Sequence, residues 1–199
     1  MIKYDEQKLI RSLEVLPNFA RVAFAAACAE RQMADYARVT RKSDGFGSVV
    51  AALDSIWSEL MGAPTRDDIF RRHLAVCMSA MAEPESPEAM ETDDAIASVA
   101  YTLRARLRGD SQEAAWAART TYASLDYYLG GLIPSTEFTR EVEQRILAHP
   151  LMQAELERQR RDLSDLTELV GDKGNVISTI VGLRARAKEA AQHFTGSVS

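Results

Sequence analysis

The clearest pattern in this chain is a stripe of apolar positions between residues 19 and 37, spaced as on one face of an α-helix. Within it, residues 22–29 are apolar on every side, which is typical of a helix surrounded by protein. The stripe therefore predicts a long, buried helix with one charged position in it. The positions on this face are Phe19, Val22, Ala23, Ala26, Ala27, Glu30, Met33, Ala34 and Ala37.

Glu30 is the charged residue in that stripe, and Arg31 follows it directly. A carboxylate in a protein interior needs an opposite charge and hydrogen-bond donors to replace its lost hydration. The pattern therefore predicts that Glu30 is buried and has its counterion inside the protein. The variant Glu30→Gln is then expected to destabilise the fold by a few kcal/mol, whereas a change within about 0.5 kcal/mol would indicate a surface residue.

The rest of the chain follows the same helical period, without the alternation typical of β-hairpins. Helix caps and helix-stopping residues divide it at short intervals, for example at Pro17, residues 43–47, Gly109 and Pro150. The predicted fold class is all-α, a single-domain helical bundle of about nine helices over residues 1–199. The predicted helices cover residues 5–16, 18–42, 48–61, 65–82, 92–108, 110–129, 136–147, 150–170 and 175–193.

Residues 83–92 differ from the rest, with two prolines, four acidic residues and no basic residue. This composition predicts a solvated loop, after which Thr92 caps the next helix. Glu88, Glu91 and Asp94 have the spacing with which helical pyrophosphatases hold magnesium. A magnesium site needs carboxylates fixed on rigid elements, so the loop assignment favours a solvated acidic run.

Composition and charge exclude several classes of protein. The 199 residues are 46% hydrophobic and 27% charged, as in ordinary globular domains, with a net charge of -5. Since there is no concentrated Lys/Arg face, nucleic acid is not an expected partner. The longest apolar run, residues 22–29, is too short to cross a bilayer, and no secretory signal precedes it. Cys28 and Cys77 lie in helical patterns, which predicts reduced cysteines and a cytoplasmic location.

Several short segments form a pattern found in a known family. They are residues 24–36 (FAAACAERQMADY), 45–47 (GFG), 53–59 (LDSIWSE), 94–95 (DA) and 182–185 (GLRA). Together they resemble the YjaG-like family, catalogued as domain of unknown function 416. The resemblance extends over roughly residues 10–198. It implies a compact all-α domain and leaves the activity open.

Two places depart from the family pattern. A cysteine usually precedes the Glu-Arg pair directly, whereas here Ala29 does and Cys28 lies one place earlier. The Pro-Asn pair expected before the tyrosine is replaced by Ala34 and Asp35. A role for a thiol beside the carboxylate is therefore not expected. The matching positions are Glu30, Arg31, Tyr36, Trp57 and Asp94.

The strongest candidate site combines Glu30 and Arg31 with an acidic residue at the start of the fifth predicted helix, either Asp93 or Asp94. Asp93 lies three residues before Ile96 and so extends an inward-facing stripe. A buried carboxylate beside a guanidinium is held in its ionised form by charge-assisted hydrogen bonds. The sequence therefore predicts a polar cluster within the apolar core.

This cluster admits two interpretations. In the structural one, ion pairs lock the second helix to its neighbours, since such networks perturb titration without serving chemistry. In the functional one, Tyr36 and Trp57 complete a pocket, in which Arg31 would hold an anionic ligand and Glu30 a hydroxyl or amine. The sequence favours the structural interpretation.

No metal ion or cofactor is expected. A helical di-iron site requires Glu-x-x-His motifs, and none of the histidines has a glutamate three residues before it. His73 and Cys77 share a helical face but supply only two zinc ligands, so core packing is their expected role. A nucleophile turn of the Gly-x-Ser-x-Gly type and a phosphate-binding glycine loop are also missing from the sequence.

The sequence thus favours a binding or regulatory interaction module over an enzyme. The alternative is a small-molecule-binding protein or small enzyme built on Glu30, Arg31, Tyr36 and Asp94. A homodimer through the helices near residues 150–193 is the expected assembly, because their apolar seams are longer than a monomer would cover.

Overall fold

The computed structural model describes residues 1–40, 46–81, 87–134, 139–172 and 175–192. Within these residues the chain forms nine α-helices and no β-strand, which confirms the predicted all-α, single-domain bundle. The helices are α1 (Glu6–Glu14), α2 (Asn18–Thr40), α3 (Phe46–Leu60), α4 (Asp67–Ala80), α5 (Pro87–Arg108), α6 (Ser111–Leu132), α7 (Arg140–Ala148), α8 (Pro150–Asp172) and α9 (Val176–Ala191).

Helix α2 lies at the centre of the bundle. It contacts α3, α5, α6, α8 and α9, and every residue from 22 to 29 is 0% exposed. Five of these eight residues are alanine, and such small side chains allow neighbouring helices to approach from all sides. The prediction of a helix surrounded by protein is confirmed, and any polar side chain on α2 must find its partners on those neighbours.

Side-chain caps and one glycine fix several helix ends. Asp5, Asp110 and Asn175 each accept a hydrogen bond from a backbone N–H in the first turn of α1, α6 and α9, respectively. Gly109 follows α5 with φ of 69°, in the left-handed region that favours glycine, and so allows the chain to turn directly into α6.

The predicted start of the fifth helix is wrong. Helix α5 begins at Pro87, before the expected cap at Thr92, so residues 87–92 are helical, whereas residues 83–86 lie outside the described residues. Proline is favoured at the first helical position, because its φ is already helical and its missing N–H has no helical partner there. The backbones of Glu88 and Glu91 therefore belong to a helix and not to the expected loop.

Other helix boundaries also differ from prediction. Helix α4 begins at Asp67, with Arg66 in the cap position, and not at the predicted residue 65. Helix α6 continues through Gly130 to Leu132, and Gly130 faces the side chain of Ile146 on α7. The expected start of α7 at residue 136 and the expected ends of α2 and α9 at residues 42 and 193 lie outside the described residues.

A second apolar cluster joins α6, α7 and α8 beside the main core. It places the start of α8 against the end of α6, next to the N-terminal segment of residues 1–5. None of the helices in the described part of the chain is long and apolar enough to cross a bilayer. The buried members of this cluster are Leu125, Leu129, Val142, Ile146, Met152 and Leu156.

Candidate functional site

Three consecutive polar side chains on α2 lie within the core. Glu30 is 7% exposed, Arg31 1% and Gln32 3%, so all three residues are shielded from solvent. Successive residues of an α-helix point about 100° apart, and each of these side chains therefore meets different neighbours. Glu30 faces α3 and α9, Arg31 faces α8, and Gln32 faces α6.

Arg31 forms the network with the closest pairing of opposite charges. Its Nε donates a hydrogen bond to Glu155 Oε1 at 3.1 Å, and its Nη1 donates to Asp162 Oδ2 at 2.7 Å. Its Nη2 lies 3.2 Å from the Sγ of Cys28. The side chains of Arg31, Glu155 and Asp162 are only 2%, 0% and 5% exposed, so these charges compensate one another in place of water.

The charges around Arg31 determine which groups are ionised. Burial alone would lower the pKa of Arg31, but the Glu155 and Asp162 carboxylates outweigh that effect and raise it, which keeps the guanidinium charged. Burial raises the pKa of Glu155, and the charge of Arg31 opposes that rise. Burial also raises the pKa of the Cys28 thiol, which is therefore protonated and unreactive.

Glu30 forms a looser network with α3 and α9. Its Oε2 lies 3.4 Å from the Nε of Arg184, and the same guanidinium also binds Asp54. Arg184 lies over the ring of Trp57, with its Cζ 5.6 Å from the ring centroid. The prediction that Glu30 is buried beside an internal counterion is confirmed, but the counterion is Arg184 and not Arg31.

Several polar atoms around Glu30 have incomplete hydrogen bonding. Among the described residues, Glu30 Oε2, Trp57 Nε1 and Arg184 Nε are buried and complete no hydrogen bond of ordinary geometry. Burial raises the pKa of Glu30, and the charges of Arg184 and Lys188, together with a weak contact from Trp57, only partly oppose that rise. The ionised form of Glu30 is thus poorly compensated, in contrast to the charge of Arg31.

Gln32 belongs to a third network, which includes Asp94. Gln32 Nε2 donates to Thr121 Oγ1 at 3.0 Å, and its Oε1 lies 3.3 Å from the hydroxyl of Ser124. Ser124 Oγ donates to Asp94 Oδ2 at 2.7 Å. Burial raises the pKa of Asp94, whereas the hydrogen bond from Ser124 lowers it and the charge of Asp93 raises it.

The structure therefore distributes the sequence-predicted site over separate networks. Glu30 and Trp57 lie together on the α3 and α9 side, Arg31 lies on the α8 side, and Asp94 lies on the α6 side with Asp93 beside it. Tyr36 is 2% exposed and belongs to the core. Three cavities lined by described residues do not collect these side chains, and of the predicted site residues only Arg31 lines one of them.

Arg31 nevertheless reaches a cavity, which we call the arginine pocket. It has a volume of about 220 Å³ and lies between α8 and α9. The buried Arg31 and Asp162 form its floor, and three further arginines that the sequence analysis did not single out surround it. Its lining residues are Arg31, Arg158, Arg161, Asp162, Arg186, Ala187, Glu189 and Ala190.

The arginines of this pocket differ in how far protein acids compensate them. Arg186 binds Asp165 and lies 3.6 Å from Asp162. Arg158 has only a long contact of 3.9 Å with the buried Glu155. Arg161 forms no hydrogen bond or ion pair within the described part of the chain. Two guanidinium groups thus retain most of their capacity to bind an anion.

The described residues contain no group of three or more His, Cys, Asp or Glu side chains that could hold a metal ion. His73 Nε2 lies 3.1 Å from the hydroxyl of Ser55, and burial lowers the pKa of His73. Cys77 is buried and unpaired. His73 therefore lies at the contact of α3 and α4, and Cys77 packs in the core.

Comparison with known proteins identifies a family and a fold. The family model described as "Protein of unknown function (DUF416)" matches residues 8–192. A crystal structure of a DUF416 family protein from Shewanella baltica OS155 is similar to this chain, with a TM-score of 0.75, 19% sequence identity, and coverage of 94% of this chain and 95% of that chain. At this identity the likeness concerns the fold alone. No curated protein matches the chain.

Proposed function

The chain belongs to the DUF416 family of proteins of unknown function, and we propose that it is a binding module that holds a small oxyanion in the arginine pocket between α8 and α9. The single observation that carries this proposal is a fully buried guanidinium, that of Arg31, at the floor of an open cavity with further guanidinium groups around it. The YjaG-like designation rests on the sequence resemblance alone.

The size and charge of the pocket support a small oxyanion. Cavities that hold drug-sized ligands have volumes of roughly 300–1,000 Å³. The arginine pocket has only about 220 Å³, which suits a phosphate or a carboxylate group. Guanidinium groups bind such anions through paired N–H donors, and Arg158 and Arg161 have these donors available.

The organisation of the core supports binding over catalysis. Arg31 is already fixed by Glu155 and Asp162, so it forms a rigid floor, and the uncompensated positive charge of the pocket comes from Arg158 and Arg161. Glu30, which the alternative hypothesis uses to hold a hydroxyl or amine, lies in a different network, with Arg184 and Trp57. A small enzyme built on the cluster of predicted residues would need these groups in one cavity.

A thermal-shift titration with inorganic phosphate tests the proposal, using sodium chloride at equal ionic strength as the reference. Phosphate at about 100 times its dissociation constant should stabilise the protein by roughly 2.7 kcal/mol. Arg161→Ala should remove most of this shift. Arg160→Ala is the matched control, because Arg160 is the adjacent exposed arginine, pairs with Glu157 and does not line the pocket.

Two results would contradict phosphate binding in this pocket. One is a phosphate response no larger than the chloride response. The other is a phosphate response that Arg161→Ala and Arg160→Ala reduce equally, because that would locate the effect in general surface charge.

We also propose a homodimer through the ends of α8 and α9. Most of the predicted apolar seam is covered within the chain, since Leu166, Ile180 and Leu183 are buried. Four apolar side chains near the α8 to α9 connection remain exposed, and a two-fold axis would place this patch against its copy in a second chain. Sedimentation at micromolar concentration that gives only a monomer would reject the dimer. The exposed side chains are Val170, Val176, Ile177 and Val181.

A cytoplasmic location is part of the same proposal. It is supported by Cys28 and Cys77, which are both buried and unpaired, as expected for a protein kept in reducing surroundings. Fractionation of cells that express the full chain would test the location.

A further inference from the structure

We propose a second binding site, for a nucleoside monophosphate with an amino-bearing base, in a cleft between residues 1–5, α6 and α7. We call it the tyrosine cleft. Its volume of about 590 Å³ falls within the roughly 300–1,000 Å³ of small-molecule sites, and it is larger than the arginine pocket. Its lining residues are Met1, Lys3, Tyr4, Tyr122, Arg140, Glu143, Gln144, Leu147 and Ala148.

The N-terminal segment that forms one wall of the cleft is anchored to α8. The backbone N–H of Ile2 donates to Gln153 Oε1 at 2.7 Å, and Gln153 Nε2 donates to the backbone oxygens of Ile2 at 2.9 Å and of Leu147 at 2.7 Å. One glutamine amide thus holds both polar groups of the Ile2 backbone and ties them to the end of α7. The cleft is therefore largely formed before any ligand arrives.

A pair of stacked tyrosines supplies an aromatic surface. The rings of Tyr4 and Tyr122 have centroids 4.9 Å apart and an angle of 21° between their planes. Tyr4 donates a hydrogen bond to the backbone oxygen of Ala115 at 3.5 Å, which fixes its ring. Burial raises the pKa of both phenols, so both rings are neutral. Neutral aromatic rings on a fixed wall suit stacking with a nucleobase.

The polar side chains of the cleft come mainly from one face of α7. Arg140 is its first residue, and Glu143 and Gln144 lie three and four residues later, on the same helical face. The side chains of Lys3, Arg140 and Gln144 make no hydrogen bond or ion pair within the described residues. Burial raises the pKa of Asp126, and the nearby charge of Glu143 raises it further.

These groups match the parts of a nucleotide. Arg140 and Lys3 supply positive charge for a phosphate group. A glutamine amide can donate to and accept from the edge of a base, and a carboxylate accepts from an exocyclic amine. Gln144 and Glu143 therefore suit an amino-bearing base such as adenine. The arginine pocket lacks an aromatic lining residue, so it does not offer the same recognition.

Isothermal titration of the full chain with adenosine monophosphate tests this inference, with adenosine and inorganic phosphate as partial ligands. The monophosphate should bind at least about tenfold more tightly than adenosine, because adenosine lacks the group for Arg140 and Lys3. Arg140→Ala should weaken binding of the monophosphate by about tenfold and leave adenosine unchanged. Gln144→Ala should weaken both ligands.

Two controls separate this cleft from other basic surfaces. Arg145→Ala changes an exposed arginine of α7 outside the lining and should have no effect on the monophosphate. Arg161→Ala changes the arginine pocket and should also have no effect. Loss of binding in Arg161→Ala but not in Arg140→Ala would overturn the inference, as would equal affinity for adenosine and its monophosphate, or no heat with any of the probes.

Discussion

Arg31 and Glu30 are neighbours in the chain and both are buried, yet their surroundings stabilise their charges to different extents. The Nε and Nη1 of Arg31 each meet a buried carboxylate on α8. Glu30 lies 3.4 Å from a guanidinium that it shares with the exposed Asp54, and Lys188 and Trp57 add only partial compensation. The pKa of both residues is raised, but a raised pKa favours the charged form of arginine and the neutral form of glutamate.

This difference teaches that burial of a charged residue does not by itself measure its contribution to stability. What matters is whether opposite charges and hydrogen-bond partners lie close enough to replace the lost hydration. Glu155 and Asp162 lie seven residues apart on one face of α8, so Arg31 contacts both in their helical positions. Arg184, in contrast, has a side chain that is 18% exposed to solvent, and it divides its interactions between the carboxylates of Glu30 and Asp54.

The largest effect is expected for Arg31→Met, which should destabilise the protein by about 3–5 kcal/mol. The reason is that Glu155 and Asp162 would remain buried without a counterion. Denaturant unfolding followed by circular dichroism measures the loss. The triple variant Arg31→Met, Glu155→Gln, Asp162→Asn should recover part of it, because no unpaired buried charge remains. A loss below about 1 kcal/mol in Arg31→Met would show that the two networks do not differ as described.

Glu30→Gln is expected to change the free energy of unfolding by less than about 1 kcal/mol near neutral pH. Its raised pKa means that the fold disfavours the ionised carboxylate, so an amide removes a desolvation penalty together with an ion pair. Arg184 keeps Asp54 as a partner. This value is smaller than the few kcal/mol expected from the sequence, and a loss as large as that of Arg31→Met would contradict the comparison.

The sequence was sufficient to predict the buried central helix and the need for a counterion to Glu30. It could not identify the counterion, because Glu30 and Arg184 are remote in the chain and the pattern shows only which face is apolar. Adjacent residues on a helix do not face each other, so the sequence proximity of Glu30 and Arg31 was misleading. Asp94 lies near α2 but pairs with Ser124, a contact that depends on how α5 and α6 pack.

The pocket arginines were missed for a related reason. Arg158 and Arg161 lie on a helix rich in charged residues, where a solvated face is the usual interpretation. Arg158 and Arg161 lie on the same side of α8 as Asp162. This arrangement forms a pocket only because α9 places Arg186 opposite them, which the sequence does not show. The error at Pro87 was local in origin, since an acidic, proline-containing segment can either continue as a loop or begin a helix at its second proline.

A smaller effect is expected for the pH dependence of the difference in unfolding free energy between the wild type and Glu30→Gln. Because the folded pKa of Glu30 lies above its ordinary value of 4.5, the folded state binds the proton more tightly than the unfolded state. The wild type should therefore gain stability relative to Glu30→Gln as the pH falls through the folded pKa, and the gain should level off below the unfolded pKa. Unfolding of both proteins at about pH 7 and about pH 5 measures the difference. A gain with rising pH would mean that Arg184 outweighs burial.

The smallest effect concerns Asp54, the exposed partner in the Glu30 network. Its side chain is 53% exposed, so Asp54→Asn alone should cost at most about 0.5 kcal/mol. In the Glu30→Gln background the same change should cost about 0.5–1 kcal/mol more, since Arg184 would then lose both carboxylates. Asp68→Asn is the matched control, because Asp68 is an exposed acid that pairs with Arg72 and is independent of Glu30. Strict additivity of Asp54→Asn and Glu30→Gln would show that Arg184 does not couple them, and the shared guanidinium would then not explain why the Glu30 charge is weakly compensated.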